Sequence, residues 1–328
     1  MNAPDTANFL LHDLSPNLGS FLDDVLEGFS QPQKRLPAKY FYDERGSELF
    51  EAICELPEYY PTRTEISLMR AHAADIAAVI GSKALLIEYG SGSSTKTPIL
   101  LDALQPACYV PIDISREQLI QSSLALAQAR PELLVRAVCA DYTRPFTLPA
   151  LDDIDFRRKL VYFPGSTIGN FNPAETNAFL RQIVPVIEDN GAALIGVDLK
   201  KDYAVLHAAY NDAAGVTAEF NLNVLRRINR ELDGNIAIDH FRHHAFYDVN
   251  LGRIEMHLLS LRSQAVTIAG NQFVFREGET IHTEISCKYT IEEFQRVARD
   301  AGLTPLGVWT DAANLFSVHY LAARDGGK

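Results

Sequence analysis

Cysteine is scarce in this 328-residue chain: there are four, Cys54, Cys108, Cys139 and Cys287, with no Cys-x-x-Cys pair. That scatter excludes a small disulfide framework and reads as reduced thiols, buried as small hydrophobes, in a cytoplasmic protein. Positive charge is also short, at 30 Lys and Arg against 42 Asp and Glu, and no basic stripe interrupts the net charge of −12. A nucleic-acid partner, which leans on clustered cations, is therefore not expected. No stretch approaches the roughly 20 apolar residues that span a bilayer, so no membrane partner is expected either. Phe9-Leu10-Leu11 lacks the basic flank and the apolar core of a signal peptide. Internal repeats and low-complexity tracts are absent. With 47% hydrophobic and 22% charged residues, what is left is a globular composition, ample for one large domain or two modest ones.

Short apolar runs alternate with helical patterns from Lys83 to Leu199, the signature of a parallel α/β sheet. Strands are expected at 84–89, 108–112, 134–138, 159–163 and 192–197. Each ends in polar or glycine-containing sequence, and ligands of open α/β sheets bind at those carboxyl ends. Asn172-Pro173-Ala174-Glu175 offers a helix N-cap, a first-position proline and an acid, and Thr290-Ile291-Glu292-Glu293 is a capping box. Two more strands, 306–309 and 316–322, would complete a seven-stranded sheet. Roughly 90 residues lie between the strand at 192–197 and the helix at Thr290, far more than a connection needs. That stretch carries helical patterns at 203–214 and 218–232 and strand patterns at 253–262, 265–268 and 272–275, so it reads as an inserted α+β domain. The expected division is a core of residues 61–200 plus 288–328 and a second domain of 8–60 plus 201–287. A ligand site is expected where two such domains meet, since pockets favour domain interfaces.

The stretch from Leu85 to Thr97, with Glu88, Gly90, Gly92 and Lys96, is the most informative in the sequence. An apolar strand runs into Gly-x-Gly and then into a helix start, where glycine allows positive φ and the helix offers unpaired N–H donors. Three nucleotide readings compete. A Walker A loop fails because Thr95 stands where a glycine should precede Lys96. A dinucleotide fingerprint is incomplete at the same Thr95, although Asp113, about 20 residues on, keeps it open. S-adenosylmethionine explains more residues. Glu88 before the loop suits a ligand carrying a sulfonium and an ammonium, Asp113 is placed for both ribose hydroxyls, and Asp141-Tyr142 for adenine. Each acid alone is more often a turn or cap; together with the Gly-x-Gly they favour the methyl donor.

Longer motifs point the same way. The segments YFYDERGSELF (40–50), LPEYYPTRTE (56–65), GSTIGN (165–170), YNDAAGVT (210–217), RIEM (253–256) and TEISCK (283–288) resemble the histidine Nα-methyltransferases of ergothioneine biosynthesis. The likeness runs from about Pro37 to about Ala322. It implies a class I methyltransferase core, Rossmann-like and seven-stranded, with an inserted α+β substrate-binding domain. S-adenosylmethionine is the implied donor and S-adenosylhomocysteine the product. The cofactor residues carry over to Gly90, Lys96, Asp113, Asp141 and Tyr142. The substrate residues carry over to Tyr59, Asn170, Tyr210, Glu284 and Ser286, with Met256 beside them and Tyr42 as the catalytic tyrosine. By resemblance, Asn170 and Tyr210 hold the substrate carboxylate, Glu284 and Ser286 the imidazole, and the tyrosines orient the amine and ring.

The implied reaction is three methylations of the α-amino group of L-histidine, giving hercynine in the first step of ergothioneine biosynthesis; the alternative acceptor is another free amino acid or a histidine derivative. The expected enzyme is a cytoplasmic monomer whose partner is a small molecule. No metal is expected: His240, His243 and His244 form His-x-x-His-His without a completing carboxylate or cysteine and read as a solvated face. Lys200-Lys201-Asp202 reads as a solvated strand exit and Trp309 as core.

Overall fold

The computed structural model describes residues 7–14, 20–92 and 96–323. They fall into two compact units, one of residues 7–14, Thr64–Leu199 and 289–323, the other of residues 20–63 and Lys200–Lys288. In chain order the first elements are β1 (Phe9–Asp13), α1 (Phe21–Ser30), β2 (Lys34–Arg35), α2 (Glu44–Cys54), α3 (Tyr60–Ile80) and β3 (Ala84–Tyr89). There follow α4 (Thr97–Leu104), β4 (Cys108–Asp113), α5 (Arg116–Ala129), β5 (Leu134–Cys139), β6 (Arg158–Phe163), α6 (Pro173–Ile187) and β7 (Ala192–Asp198). The second unit continues with α7 (Tyr203–Tyr210), α8 (Val216–Glu231), β8 (Phe241–Asp248), β9 (Arg253–Ser260), β10 (Gln264–Ile268), β11 (Asn271–Phe275) and β12 (Thr280–Cys287). The chain ends with α9 (Ile291–Asp300), β13 (Leu303–Thr310) and β14 (Phe316–Ala323).

The first unit is built on one sheet in the order β1-β5-β4-β3-β6-β7-β14-β13. β1 and β3 to β7 run parallel, and β14 lies antiparallel between β7 and β13. Every residue of β3 and β7 is buried, which is why, Glu88 and Asp198 apart, their sequences read as apolar runs rather than alternating ones. Both expected capping boxes form, Asn172 with Glu175 at α6 and Thr290 with Glu293 at α9. The sheet has eight strands, not seven. β1, expected in the second domain, pairs in parallel with β5 instead. Phe9 is buried in the core beneath it. The Asn8 amide donates to the carbonyls of Ala127, Arg130 and Leu133 at 3.1, 3.1 and 2.9 Å. Trp309 packs against the same core but is only half-buried. No helix among the described residues is long and apolar enough to cross a membrane.

The second unit holds a four-stranded sheet, β2-β12-β9-β8, and a separate hairpin of β10 and β11. The helix pattern expected over 203–214 breaks at Tyr210. Asn211 turns its amide onto the carbonyls of His207 and Ala245, and Asp212 accepts from the N–H groups of Val216 and Thr217, opening α8. β8 and β12 were not expected from the sequence; β12 is the strand that carries the candidate substrate residues Glu284 and Ser286.

Candidate active site

In the first unit, β3 delivers the chain to Gly90 and Gly92, whose φ values of +70° and +35° lie in the left-handed region. A Cβ at Gly90 would meet the Tyr142 hydroxyl at 3.4 Å, so that ring lies over a position that needs no side chain. The Gly90 and Ser91 N–H groups donate to the Ile112 carbonyl at 2.8 and 3.2 Å, tying the loop to β4. At the tip of β4, the Asp113 carboxylate accepts from Gly92 N–H at 3.0 Å and Ser115 N–H at 2.8 Å. Burial pushes its carboxyl above the ordinary range, against the pull of those donors. Tyr142 stacks on Tyr89 with centroids 5.6 Å apart. Asp141 makes a local turn: its Oδ1 accepts from the N–H and hydroxyl of Thr143 at 3.0 and 2.5 Å, and its Oδ2 lies 3.5 Å from Arg144. Thr95, where both phosphate-binding fingerprints fail, lies outside the described residues.

Glu88 does not meet the expectation that it faces a cationic ligand. It is wholly buried and accepts from the hydroxyls of Thr97, at 2.9 and 2.7 Å, and Tyr109, at 2.6 Å. Within the sheet it anchors Thr97, the first residue of α4.

Lys96 leads to a residue the sequence reading passed over. Its Nζ lies 2.5 Å from Oε2 of Glu65, a wholly buried acid on α3. The same carboxylate accepts from Gly165 N–H at 3.1 and 3.0 Å. A Cβ at Gly165 would come within 3.4 Å of Lys96 Nζ. This knot joins the end of the glycine loop to the turn after β6, which continues as a 3₁₀ turn over Thr167–Asn170. Asn170 is half-buried, and its side chain has no hydrogen-bond partner among the described residues. The signal for Glu65 was an acid within an otherwise buried helix face, since carboxylates are seldom fully buried unless paired.

In the second unit, β12 carries a register shift between His282 and Glu284. His282 pairs with His257, and Glu284 with Met256. Adjacent residues of β9 point to opposite faces, so His282 and Glu284 do too, although they are two apart. Glu284 therefore shares one face with Ser286 and with Met256, beside which the resemblance expects the imidazole. Burial raises the Glu284 carboxyl to about 7, opposed by the charge of Lys288. Lys288, 3% exposed, donates to Ser286 Oγ at 2.8 Å and to Tyr210 Oη at 3.1 Å. It was inside the TEISCK segment but was not singled out. A chain of rings extends from there: Tyr210 to Tyr59 at 6.4 Å, Tyr59 to Phe50 at 6.4 Å, and Phe50 to Tyr42 at 5.7 Å. Burial raises the Tyr59 hydroxyl well above its ordinary range, and Tyr42 is 40% exposed.

The three histidines of His-x-x-His-His do not converge. His243 bonds the Tyr210 carbonyl and the Asn221 amide, His240 bonds Gln264, and His244 points to the other face of β8. That other face also carries Glu255, His257 and His282, whose ligand-type atoms lie within 4.8 Å of one another. Arg253 donates to Oε1 of Glu255, and His257 pairs with Oε2. Lys201 is not a bare strand exit: it donates to Tyr60 Oη at 2.6 Å and lies over that ring.

Residues 21–323 match the family described as histidine-specific, SAM-dependent methyltransferases. The chain is 39% identical to the histidine N-alpha-methyltransferase of Mycolicibacterium smegmatis, over 95% of this chain and 97% of that one. It is also 39% identical to the protein of the same name from Mycobacterium tuberculosis, covering 91% and 94%. Ergothioneine biosynthesis protein 1 of Neurospora crassa is 36% identical over 88% of this chain but only 33% of its own greater length.

Proposed function

The chain belongs to the histidine-specific, S-adenosylmethionine-dependent methyltransferases, and from that premise we propose that it trimethylates the α-amino group of L-histidine. The product is the betaine hercynine, and the step opens ergothioneine biosynthesis. One observation carries the choice of acceptor: Glu284 and Ser286 share a face of β12, a carboxylate and a hydroxyl two residues apart. Neutral imidazole offers one N–H and one lone pair, so Glu284 accepts the first and Ser286 donates to the second. An amino acid without that N–H leaves a half-buried carboxylate unpaired, which is costly.

The strand-tip residues of the first unit fit the methyl donor. Gly90 and Gly92 let backbone approach a ligand closely, Asp113 offers a carboxylate to ribose hydroxyls, and Tyr142 and Asp141 suit adenine. When bound, S-adenosylmethionine supplies a methyl group on a cationic sulfur, already activated for displacement. The chain's own work is orientation and exclusion of water, with little covalent chemistry. Lys96, held by Glu65, keeps the glycine loop and the turn at Gly165 in one arrangement. Tyr210 and Asn170 take the substrate carboxylate, and Tyr59 borders the ring. The α-amine must lose a proton before it can attack; Tyr42, the most exposed of these tyrosines, passes that proton to water. The same reading makes the enzyme a cytoplasmic monomer acting on a small molecule, in keeping with four cysteines that form no disulfide with one another.

Incubation with S-adenosylmethionine and a panel of free amino acids and histidine derivatives, followed by mass spectrometry, tests the proposal. Histidine is expected to gain one, two and then three methyl groups and to lead the panel. No methylated histidine, or clear preference for another acceptor, overturns it.

A further inference from the structure

A lysine buried to 3% exposure is uncommon without partners, and among those of Lys288 are two hydroxyls assigned above to the substrate. An ammonium has three donors and no acceptor. Neither Ser286 nor Tyr210 can therefore send its proton to Nζ; each accepts there and must donate elsewhere. Among the described residues the Ser286 side chain has no other hydrogen bond. The ammonium also lies 5.1 Å from the centroid of the Tyr210 ring, which fixes that ring as well as its hydroxyl. Lys288, Ser286 and Glu284 alternate along the chain from β12, so the cation, the donor and the acceptor follow one another on one face.

We propose that Lys288 is a specificity-determining positioning residue, whose ammonium holds Ser286 and Tyr210 as outward donors and so commits the site to a neutral imidazole and a carboxylate. The inference rests on the reading of this face as the histidine site. A neutral ring gives its lone pair to Ser286 and its N–H to Glu284. An imidazolium has no lone pair for Ser286 and brings a second positive charge near Lys288. Burial disfavours the Glu284 anion and the charge of Lys288 opposes that shift, which supports the same assignment. Tyr210, accepting from Nζ, turns its own proton away from the lysine.

The test is Lys288→Met, which keeps the stem and removes every donor, together with Ser286→Ala and the double variant. Histidine KM is expected to rise about 10- to 100-fold in Lys288→Met, the size of losing charge-assisted hydrogen bonds. The change in kcat is expected to be smaller, and affinity for S-adenosylhomocysteine to stay within about twofold. Because Lys288 acts through Ser286, the double variant should be little worse than Lys288→Met alone. A histidine KM within about twofold of the parent overturns the proposal, and so does a double loss equal to the product of the two single losses. Should Lys288→Met lose S-adenosylhomocysteine binding, Lys288→Gln, a neutral donor, takes its place under the same two criteria. Failure of the underlying reading looks different: the unsubstituted enzyme then methylates no histidine.

Discussion

At the residue scale the proposed histidine site turns on Glu284, whose carboxyl burial raises to about 7, into the range where an imidazole also titrates. Removing it with Glu284→Ala should raise the histidine KM by about 10- to 100-fold and leave S-adenosylhomocysteine affinity within about twofold. Equal loss of both overturns its assignment to the imidazole. Its pH behaviour gives a second readout. Burial raises this carboxyl from 4.5 to about 7, with Lys288 opposing, so the folded chain keeps a proton that the unfolded chain has lost. Without histidine, stability therefore falls as pH rises from 4.5 through 7. Glu284→Gln removes that loss and should melt higher than the parent near pH 8, with the gain fading towards pH 5. A difference in Tm that is the same at both ends contradicts the raised carboxyl. The roles given to Tyr210, Glu284 and Ser286 came from whole-segment resemblance, which carries types at positions. Lys288 and Glu65 escaped because their significance lies in what they touch: a buried lysine beside two hydroxyls, and a buried acid between Lys96 and Gly165. Glu88 was misread for the converse reason, since its place before the loop does not reveal the Thr97 and Tyr109 hydroxyls that enclose it.

At the scale of elements, the parallel core was legible because β3 and β7 are buried along their whole length and α6 and α9 start on complete capping boxes. β8 and β12 were not. Their polar residues, His243, His244, His282 and Glu284, serve the two faces of a sheet, and the shift after His282 breaks the period-2 pattern by which a strand is read. β2, at two residues, carries too little pattern to be read. β1 was short and remote in sequence from its partner, and its docking depends on Asn8. That amide bridges three carbonyls around the end of α5 and the start of β5, and it is 8% exposed. Asn8→Ala leaves those carbonyls without their donor and should lower unfolding free energy by about 1–3 kcal/mol, measured by denaturant titration, with histidine KM unchanged. A loss under about 0.5 kcal/mol, the range of ordinary surface substitutions, means that β1 is held by its ladder and Phe9 alone.

At the scale of the whole molecule the two units divide the candidate residues by chemistry. Gly90, Lys96, Asp113, Asp141 and Tyr142 all belong to the first unit, while Tyr42, Tyr59, Tyr210, Glu284 and Ser286 belong to the second, with Asn170 the one substrate residue carried by the first. On the proposed assignment, such a division would let acceptor specificity change through the second unit while the methyl-donor residues of the first are left alone. Hydrogen exchange can read this directly, because a ligand slows the local openings of the segments it holds. S-adenosylhomocysteine alone should slow exchange at 90–92, around Asp113 and Ser115, and at 141–143. It should leave the turn after Tyr210 and the segment following β12 close to their free rates. Histidine added to that complex should then slow the 210–217 segment, the region around Lys288 and the turn ending at Asn170. In Glu284→Ala the first response should persist and the second should vanish at the same histidine concentration. If the cofactor product alone protects both sets equally, the division of labour is wrong, and specificity and donor binding cannot be tuned apart in this chain.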